Sequence, residues 1–571
     1  MRSVARMPLA GDYTQHRKCD HDEEPEATGL SLGTERSEGA MNRVRTVLTF
    51  AALSVASAGC AIAFQLDDYA IAEPKKGAAL SPDARDAAKL EPDAAPAACA
   101  SNAECAAAAR QDGQDEAVVC VRSKGKCVPL RSIDCNTISG DYRDEDAVVV
   151  GTLLHDDRDP SLERASFLAA EEINSVGLPK VAESGRARPL VVVSCDGRGD
   201  VVRAARHLAE DLGVVAIVGP VADEDAVRVT QQVTSRSGTL LLSPSAAASS
   251  LSELSDNGLT WRNVPSDSQR AKLLIDQLNE LETLLRSTRS LTSVKFALPH
   301  ASDVGGQSVR ESIATKLLLN GRFLNDAFNA GFVSIDAYGA PADAAQRALV
   351  TKYADSFKPD LVMVTSEDQI QNLVIPLEKA LTAARVTTRP YYVAVGALRT
   401  RALLDAIQSG ELPADIKRRI RGVGSKADTD SGPVLAAFVA AYTAKHGAPP
   451  APTLIAPAYD AVYAIAAAVS ATPKRAPTGA SVAEGLRQIG VGPPLGVGAS
   501  EVEALLRGAA SGALSLRGTL SAMRWDPNGD ILGGTLEVWC IGGTTSSSFG
   551  SSGRAMDVQS QVIGGRFVQC Q

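Results

Sequence analysis

A β-branched strand running into a charged loop and then an apolar-periodic helix constrains this chain more than any other stretch. In AVVVGTLLHDDRDPSLERASFLAAEEIN, residues 147–174, Ala147 to Gly151 read as the strand. His155, Asp156, Asp157, Arg158 and Asp159 fall in the loop, and Leu162, Ala165, Phe167, Leu168, Ala169 and Ile173 recur at helical spacing. The unit then repeats. RPLVVVSC (188–195), VVAIVG (214–219) and TLLLS (239–243) read as strands, with helical sequence at 201–212 and 223–232 between them. Strands alternating with helices predict a parallel sheet covered on both faces, and ligands of such sheets sit beyond the carboxyl ends of the strands.

The pattern restarts after an extended segment, WRNVP (261–265). A helix is predicted over 267–284, a strand over 293–298 (SVKFAL), a loop HASDVGGQS, and a helix from Gln307. FVSIDAY (332–338), LVMVT (361–365) and YYVAV (391–395) read as further strands, so the chain reads as two similar α/β lobes. A length of 571 residues leaves room for both and for a long N-terminal extension.

That extension has its own logic. MNRVRTVLTFAALSVASAGC (41–60) has a basic start, a short apolar run and small residues before Cys60, the make-up of a secretory signal too short to span a membrane. Its end resembles a bacterial lipobox, with Cys60 as lipid acceptor, although Ser57 departs from the usual aliphatic residue; a plain secretory signal is the alternative. Residues 1–40 are polar and aperiodic and read as a non-native or disordered extension, with Met41 as the start. Residues 61–98, rich in Ala, Pro, Asp and Lys, bury too little apolar surface to offset their ordering entropy and read as a disordered tether. No other segment reads as membrane-spanning.

Ten cysteines include Cys19 and Cys60; the other eight form an even set in a chain with an export signal, which predicts disulfides. Cys99, Cys105, Cys120, Cys127 and Cys135 cluster without paired C-x-x-C spacing or a histidine, so residues 99–135 read as a small disulfide-stapled module and not as a metal site. Cys540 and Cys570 lie in strand-like sequence (LEVWC, RFVQC) on either side of a Ser/Gly-rich loop and are expected to pair. Pairing of Cys135 with Cys195 requires the segment before the first strand to fold back along the sheet. A net charge of −9 without a basic stripe argues against nucleic acid as a partner.

The ordered series of landmarks resembles the type I periplasmic binding proteins of the leucine/isoleucine/valine-binding kind. It comprises the opening unit ending in AAEEIN, VVAIVGP (214–220), LLLSPSAAASSL (240–251), WRNVPSDSQ, PDLVMVTSEDQIQNLV, FVAAYTAKHGAPPAPTLIAPAYDAVYAI and LRGTLSAMRWDPNGD, across roughly 146 to 545. The resemblance implies two Rossmann-like lobes joined by a hinge of three crossings, with 146–265 and 430–505 in one and 266–429 and 506–571 in the other. It further implies closure around a small polar ligand such as an amino acid or amide, no catalysis, no cofactor, and an ABC permease as partner of a lipid-anchored envelope protein. An envelope sensor or interaction receptor on the same fold is the alternative.

Carried over by position, ligand contacts fall at His155 and Asp156, at Val221, Ala222 and Asp223, and at Ser243, Ser245 and Ala246 in the first lobe. In the second lobe they fall at His300, Ser302 and Asp303, at Thr365, Ser366 and Glu367, and at Gly396. Family members hold an amino-acid carboxylate with hydroxyls and backbone N–H groups at helix starts. Here Asp223 and Glu224 stand where serines are usual, which puts recognition of a free α-amino acid in doubt; Asp223 also reads as a simple helix cap. A lone histidine such as His300 is more often a surface or satisfied core residue than a ligand. Tyr459 and Asp460 read as structural, and WDPNGD (525–530) as a tight turn in which Asn528 and Gly529 take positive φ. The G-x-S-x-G match GLSLG (29–33) lies in the aperiodic polar extension, without the strand and helix that a nucleophile elbow needs, and no H-E-x-x-H or Walker A sequence is present.

Overall fold

The computed structural model describes residues 99–571 apart from 112–115, 157–158, 182–184 and 340–341. The extension, the signal with Cys60, and the tether lie outside the described residues.

The described chain opens with a helix, Asn102–Gln111, packed on a hairpin of Val118–Val121 and Lys126–Pro129. Its apolar core is only Cys105, Val118 and Cys120, and disulfides Cys99–Cys120 and Cys105–Cys127 staple it. The sulfurs of Cys99, Cys105 and Cys120 lie close enough together for a metal but are consumed in these bonds. Asn102 ties the module to the first lobe: its side chain accepts from Cys120 N and donates to the carbonyls of Tyr142 and Asp144.

The first lobe is built on six strands in the order Cys135–Ser139, Leu190–Asp196, Val148–His155, Ala216–Val218, Leu240–Ser243, Thr260–Arg262. All pairs are parallel except the first, where Cys135–Ser139 folds back antiparallel to Leu190–Asp196 and Cys135 bonds Cys195. Val and Leu dominate these strands because both faces are covered. One cover is Pro452–Ala471, a helix buried from Ile455 to Ser470 and packed on Ser161–Asn174. It is long and apolar enough to cross a membrane, contrary to the sequence reading, but 89% of its apolar window lies inside the fold.

The second lobe has eight strands, in the order Val333–Tyr338, Phe296–Ala301, Leu361–Val364, Tyr391–Ala394, Ile420–Lys426, Thr535–Gly542, Ser548–Asp557, Ile563–Gly564. The first five run parallel and the rest form an antiparallel extension. Two strands differ from expectation. Ile420–Lys426 (IRGVGSK) lacks strand-like alternation; a Cβ at Gly422 would lie 2.3 Å from the Trp539 ring, so the glycine is what lets the neighbouring strand's indole lie against it. Ser548–Asp557 forms where a Ser/Gly-rich loop was expected, because the apolar Thr535–Gly542 strand presents backbone groups that need partners. Cys540 and Cys570 do pair, with Cys570 on an irregular tail rather than on a strand.

The chain passes between the sheets near 262–267, 426–432 and 517–535. The anticipated break at 505 falls inside the helix Val502–Ala510. Leu505, Leu506, Ala509, Leu514 and Leu516 belong to the first lobe's core, which carries that lobe's return segment to about residue 517.

Candidate ligand site between the lobes

The crossings are knitted together by buried polar contacts. Arg262, 2% exposed, sends Nε to Asp530 Oδ1 at 2.6 Å, Nη1 to Ala248 O and Nη2 to Ser252 Oγ, and Ser252 donates to Asp530 Oδ2. Trp525 Nε1 donates to Arg262 O, and its ring meets Trp261 edge-on at 5.6 Å. In the WDPNGD turn only Gly529 has positive φ; Asn528 does not, since Asp526 shapes the turn by accepting from Asn528 N and Asp530 N. At the third crossing, buried Asp460 accepts from Thr519 N and Thr519 Oγ1; burial pushes its carboxyl up to about 7 against those hydrogen bonds.

The first lobe's wall lies past the strands Ala216–Val218 and Leu240–Ser243. Ser243 Oγ donates to Pro220 O and accepts from Ala246 N, and Ser245 Oγ donates to Val221 O, so both hydroxyls are used within the wall. Asp223 is not a cap. Ala222 is the N-cap, without a side-chain bond, and Asp223 turns its carboxylate onto the neighbouring loop, where Oδ1 accepts from Ala247 N at 2.6 Å and Ala248 N at 2.7 Å. Burial raises the Asp223 carboxyl pKa, opposed by the two backbone bonds. Val221 and Ala222 are exposed.

At the second lobe's strand ends neutral side chains form a network. Tyr338 OH pairs with Ser366 Oγ at 3.0 Å and accepts from Gln369 Nε2 at 2.8 Å; Gln369 and Thr365 Oγ1 both donate to Pro299 O. Tyr338 and Gln369 were missed from the sequence, although Tyr338 closes a predicted strand and the strand-end rule would have found it. His300 was placed in a loop; the strand continues to Ala301, which leaves His300 2% exposed, with Nδ1 against Ala301 O, inside the sheet. Ser302 is exposed and pairs through its backbone with Tyr338 O. Asp303 caps the helix Val304–Ala314 by accepting from Gly306 N. Glu367 is exposed, and Gly396 is buried against Val423 O.

The walls meet. Val304 N, at the start of a second-lobe helix, donates to Glu224 Oε2 at 3.2 Å, a charge position favoured by the helix dipole. Ser249 N donates to Ser308 Oγ at 2.9 Å, and a Cβ added at Gly305 would lie 2.7 Å from Asp223 Oδ2. Behind them Asp267 is buried beside Arg270; burial pushes its carboxyl up to about 6, opposed by Arg270 and by the hydroxyl of Ser308. Between the walls is a cavity of about 350 Å³ lined by Glu224, Ser249, Ser302, Asp303, Gln307 and Ser308, a volume suited to a small solute. Another hollow, of about 420 Å³, lies by Val176, Pro179 and Arg507, next to the segment that enters the strand Leu190–Asp196.

His155 and Asp156 stand apart from this meeting point in their bonding. His155 Nδ1 meets Glu163 Oε2 at 2.9 Å and Asp156 pairs with Arg198 at 2.6 Å, both within the first lobe.

No protein-family model and no curated protein matches the chain. Solved structures do. The solute-binding protein of an ABC transporter from Rhodopseudomonas palustris BisB5, in complex with 3,4-dihydroxy benzoic acid, is 14% identical at a TM-score of 0.50 and covers 74% of this chain and 99% of its own. The branched-chain amino acid transporter substrate-binding protein LivJ from Streptococcus pneumoniae, in complex with isoleucine, is 15% identical (TM-score 0.48; 71% and 99% covered). The leucine-binding protein LivK from Thermotoga maritima is 16% identical (TM-score 0.48; 71% and 97% covered).

Proposed function

On the type I periplasmic binding protein fold that the chain has, we propose that it is the solute receptor of an ABC-type uptake system, closing its lobes over one small polar molecule. The observation that carries this is the cavity where residues just past the strand ends of both sheets come together. The Rhodopseudomonas palustris protein of this fold holds a small molecule, which supports the same use here.

The mechanism is selective binding. Strand-end hydroxyl, amide and backbone groups orient the solute, closure replaces its water, and the closed form, favoured by its tighter grip on the ligand, docks on a permease. Four disulfides among the described residues support an oxidising, extracytoplasmic location, and a lipid on Cys60 would hold the protein at the membrane.

Native mass spectrometry of the full chain, read for a co-purifying small molecule and an acyl mass on Cys60, tests both parts. A thermal-shift screen of amino acids, amides, amines and short-chain acids tests the binding directly. A true ligand at a hundred times its Kd adds about 2.7 kcal/mol and raises the melting temperature. A protein that carries nothing and responds to no compound would overturn the reading.

A further inference from the structure

Two adjacent backbone N–H groups at the end of a strand, on a loop of alanines and serines, form a concavity that suits an anion. In SPSAAASS those groups are Ala247 N and Ala248 N, and they already hold one: Asp223 Oδ1, from a different loop, at 2.6 and 2.7 Å. We propose that Asp223 is the specificity-determining residue of the cleft, its carboxylate permanently occupying the donor pair that a ligand's carboxylate would use, so that the solute taken is a neutral or cationic polar molecule bringing no carboxylate of its own. This deepens the receptor reading and rests on it.

Three further observations carry the assignment. Asp223 makes no capping bond to its own helix, whose N-cap is Ala222; its carboxylate oxygen Oδ1 goes to the neighbouring loop instead. The opposite lobe is shaped around the carboxylate: Gly305 is the residue facing Asp223 Oδ2, and a methyl group there would come within 2.7 Å. The other donor presented at the same place, Val304 N, is taken by the adjacent acid Glu224. An arriving carboxylate would therefore find both donor sets filled and would face Asp223 and Glu224. Of the nearby cations, Arg262 is committed to Asp530, and Arg270 stands 3.9 Å from Asp267 Oδ1 and also offsets the charge of Asp223.

The test uses the full chain, titrated with acetate, the standard α-amino acids and their decarboxylated amines by calorimetry and thermal shift. Wild type should bind none of the carboxylates. Asp223→Ala should gain binding of at least one, by at least about tenfold in affinity over wild type. Asp223→Asn keeps an oxygen on the two N–H groups and should gain none. Should Asp223→Ala fail to fold by circular dichroism, Asp223→Ser must show the gain instead. Wild-type affinity for a carboxylate, a folded Ala or Ser variant without gain, or an Asn variant that gains as much as Ala would each overturn the proposal. Failure of the receptor reading looks different. A co-purifying carboxylic acid in wild type would sink this inference and leave the receptor standing, whereas gain in Asp223→Ala with no ligand for wild type would leave the filled donor pair standing and overturn the receptor reading together with the solute class drawn from it.

Discussion

The two walls of the cleft occupy equivalent places, each just past the carboxyl ends of a parallel sheet, and yet they are built from opposite chemistry. The first presents backbone donors stoppered by the chain's own carboxylate, with Asp223 on Ala247 and Ala248. The second presents a neutral network in which Tyr338, Ser366, Thr365 and Gln369 satisfy one another and Pro299 O. The buried acids Glu378 and Asp460 differ in the opposite sense. Glu378 in the second lobe is gripped by Arg419 and Arg389 and by Tyr392 OH, whereas Asp460 in the first has only Thr519. Topology sets where a ligand can sit; the few side chains at that place set what it can be.

The severest way to break the comparison is to cut the hinge that brings the walls together. Asp530→Ala leaves Arg262 buried without its carboxylate and should cost about 3–5 kcal/mol, read as a lowered denaturant midpoint. Small-angle scattering should also show a larger radius of gyration, because the crossings lose their shared anchor.

Next comes pH. The folded-state pKa values of Asp460, about 7, and Asp267, about 6, both raised by burial, lie above the unfolded values near 3.8. The native state therefore holds more protons than the unfolded state in that window, and stability should rise as pH falls from about 7 towards 4. Asp460→Asn should flatten the upper part of that rise in melting temperature, while changes confined to the second lobe's Glu378 network should leave it in place.

A smaller effect sharpens the contact between the walls. Gly305→Ala should cost about 1–3 kcal/mol by overpacking against Asp223. Asp223→Ala should relieve most of that cost, giving a positive coupling in a double-mutant cycle. Smallest of all, Tyr338→Phe removes a hydroxyl that Gln369 and Ser366 share. Since Gln369 keeps Pro299 O, the loss should be about 1 kcal/mol by thermal or chemical denaturation.

Much of the first wall was legible because it is local. The repeated strand-loop-helix units placed Asp223 and Ser243 to Ala246 at strand ends, and the missing serines after Pro220 already put a free α-amino acid in doubt. The direction of the Asp223 side chain was not legible, because its partners lie 24 and 25 residues away on another loop. His300 was misplaced because the strand boundary, set by pairing with Val333–Tyr338, runs to Ala301 beyond the apolar run that marked it. Ser548–Asp557 escaped for a related reason: nothing in its composition favours a strand, and only the neighbouring apolar strand makes it one.

By itself the sequence determined the alternation of strands and helices, hence two α/β lobes, and the cysteine set that staples the module and both sheets, because periodicity and spacing are properties of neighbours along the chain. Tertiary structure alone decided that Arg262 would lock the crossings through Asp530, 268 residues away. It also decided that Asp223 would fill the donor pair of Ala247 and Ala248. Both depend on which groups are brought within hydrogen-bonding distance once the sheets are packed, and no local pattern encodes that distance.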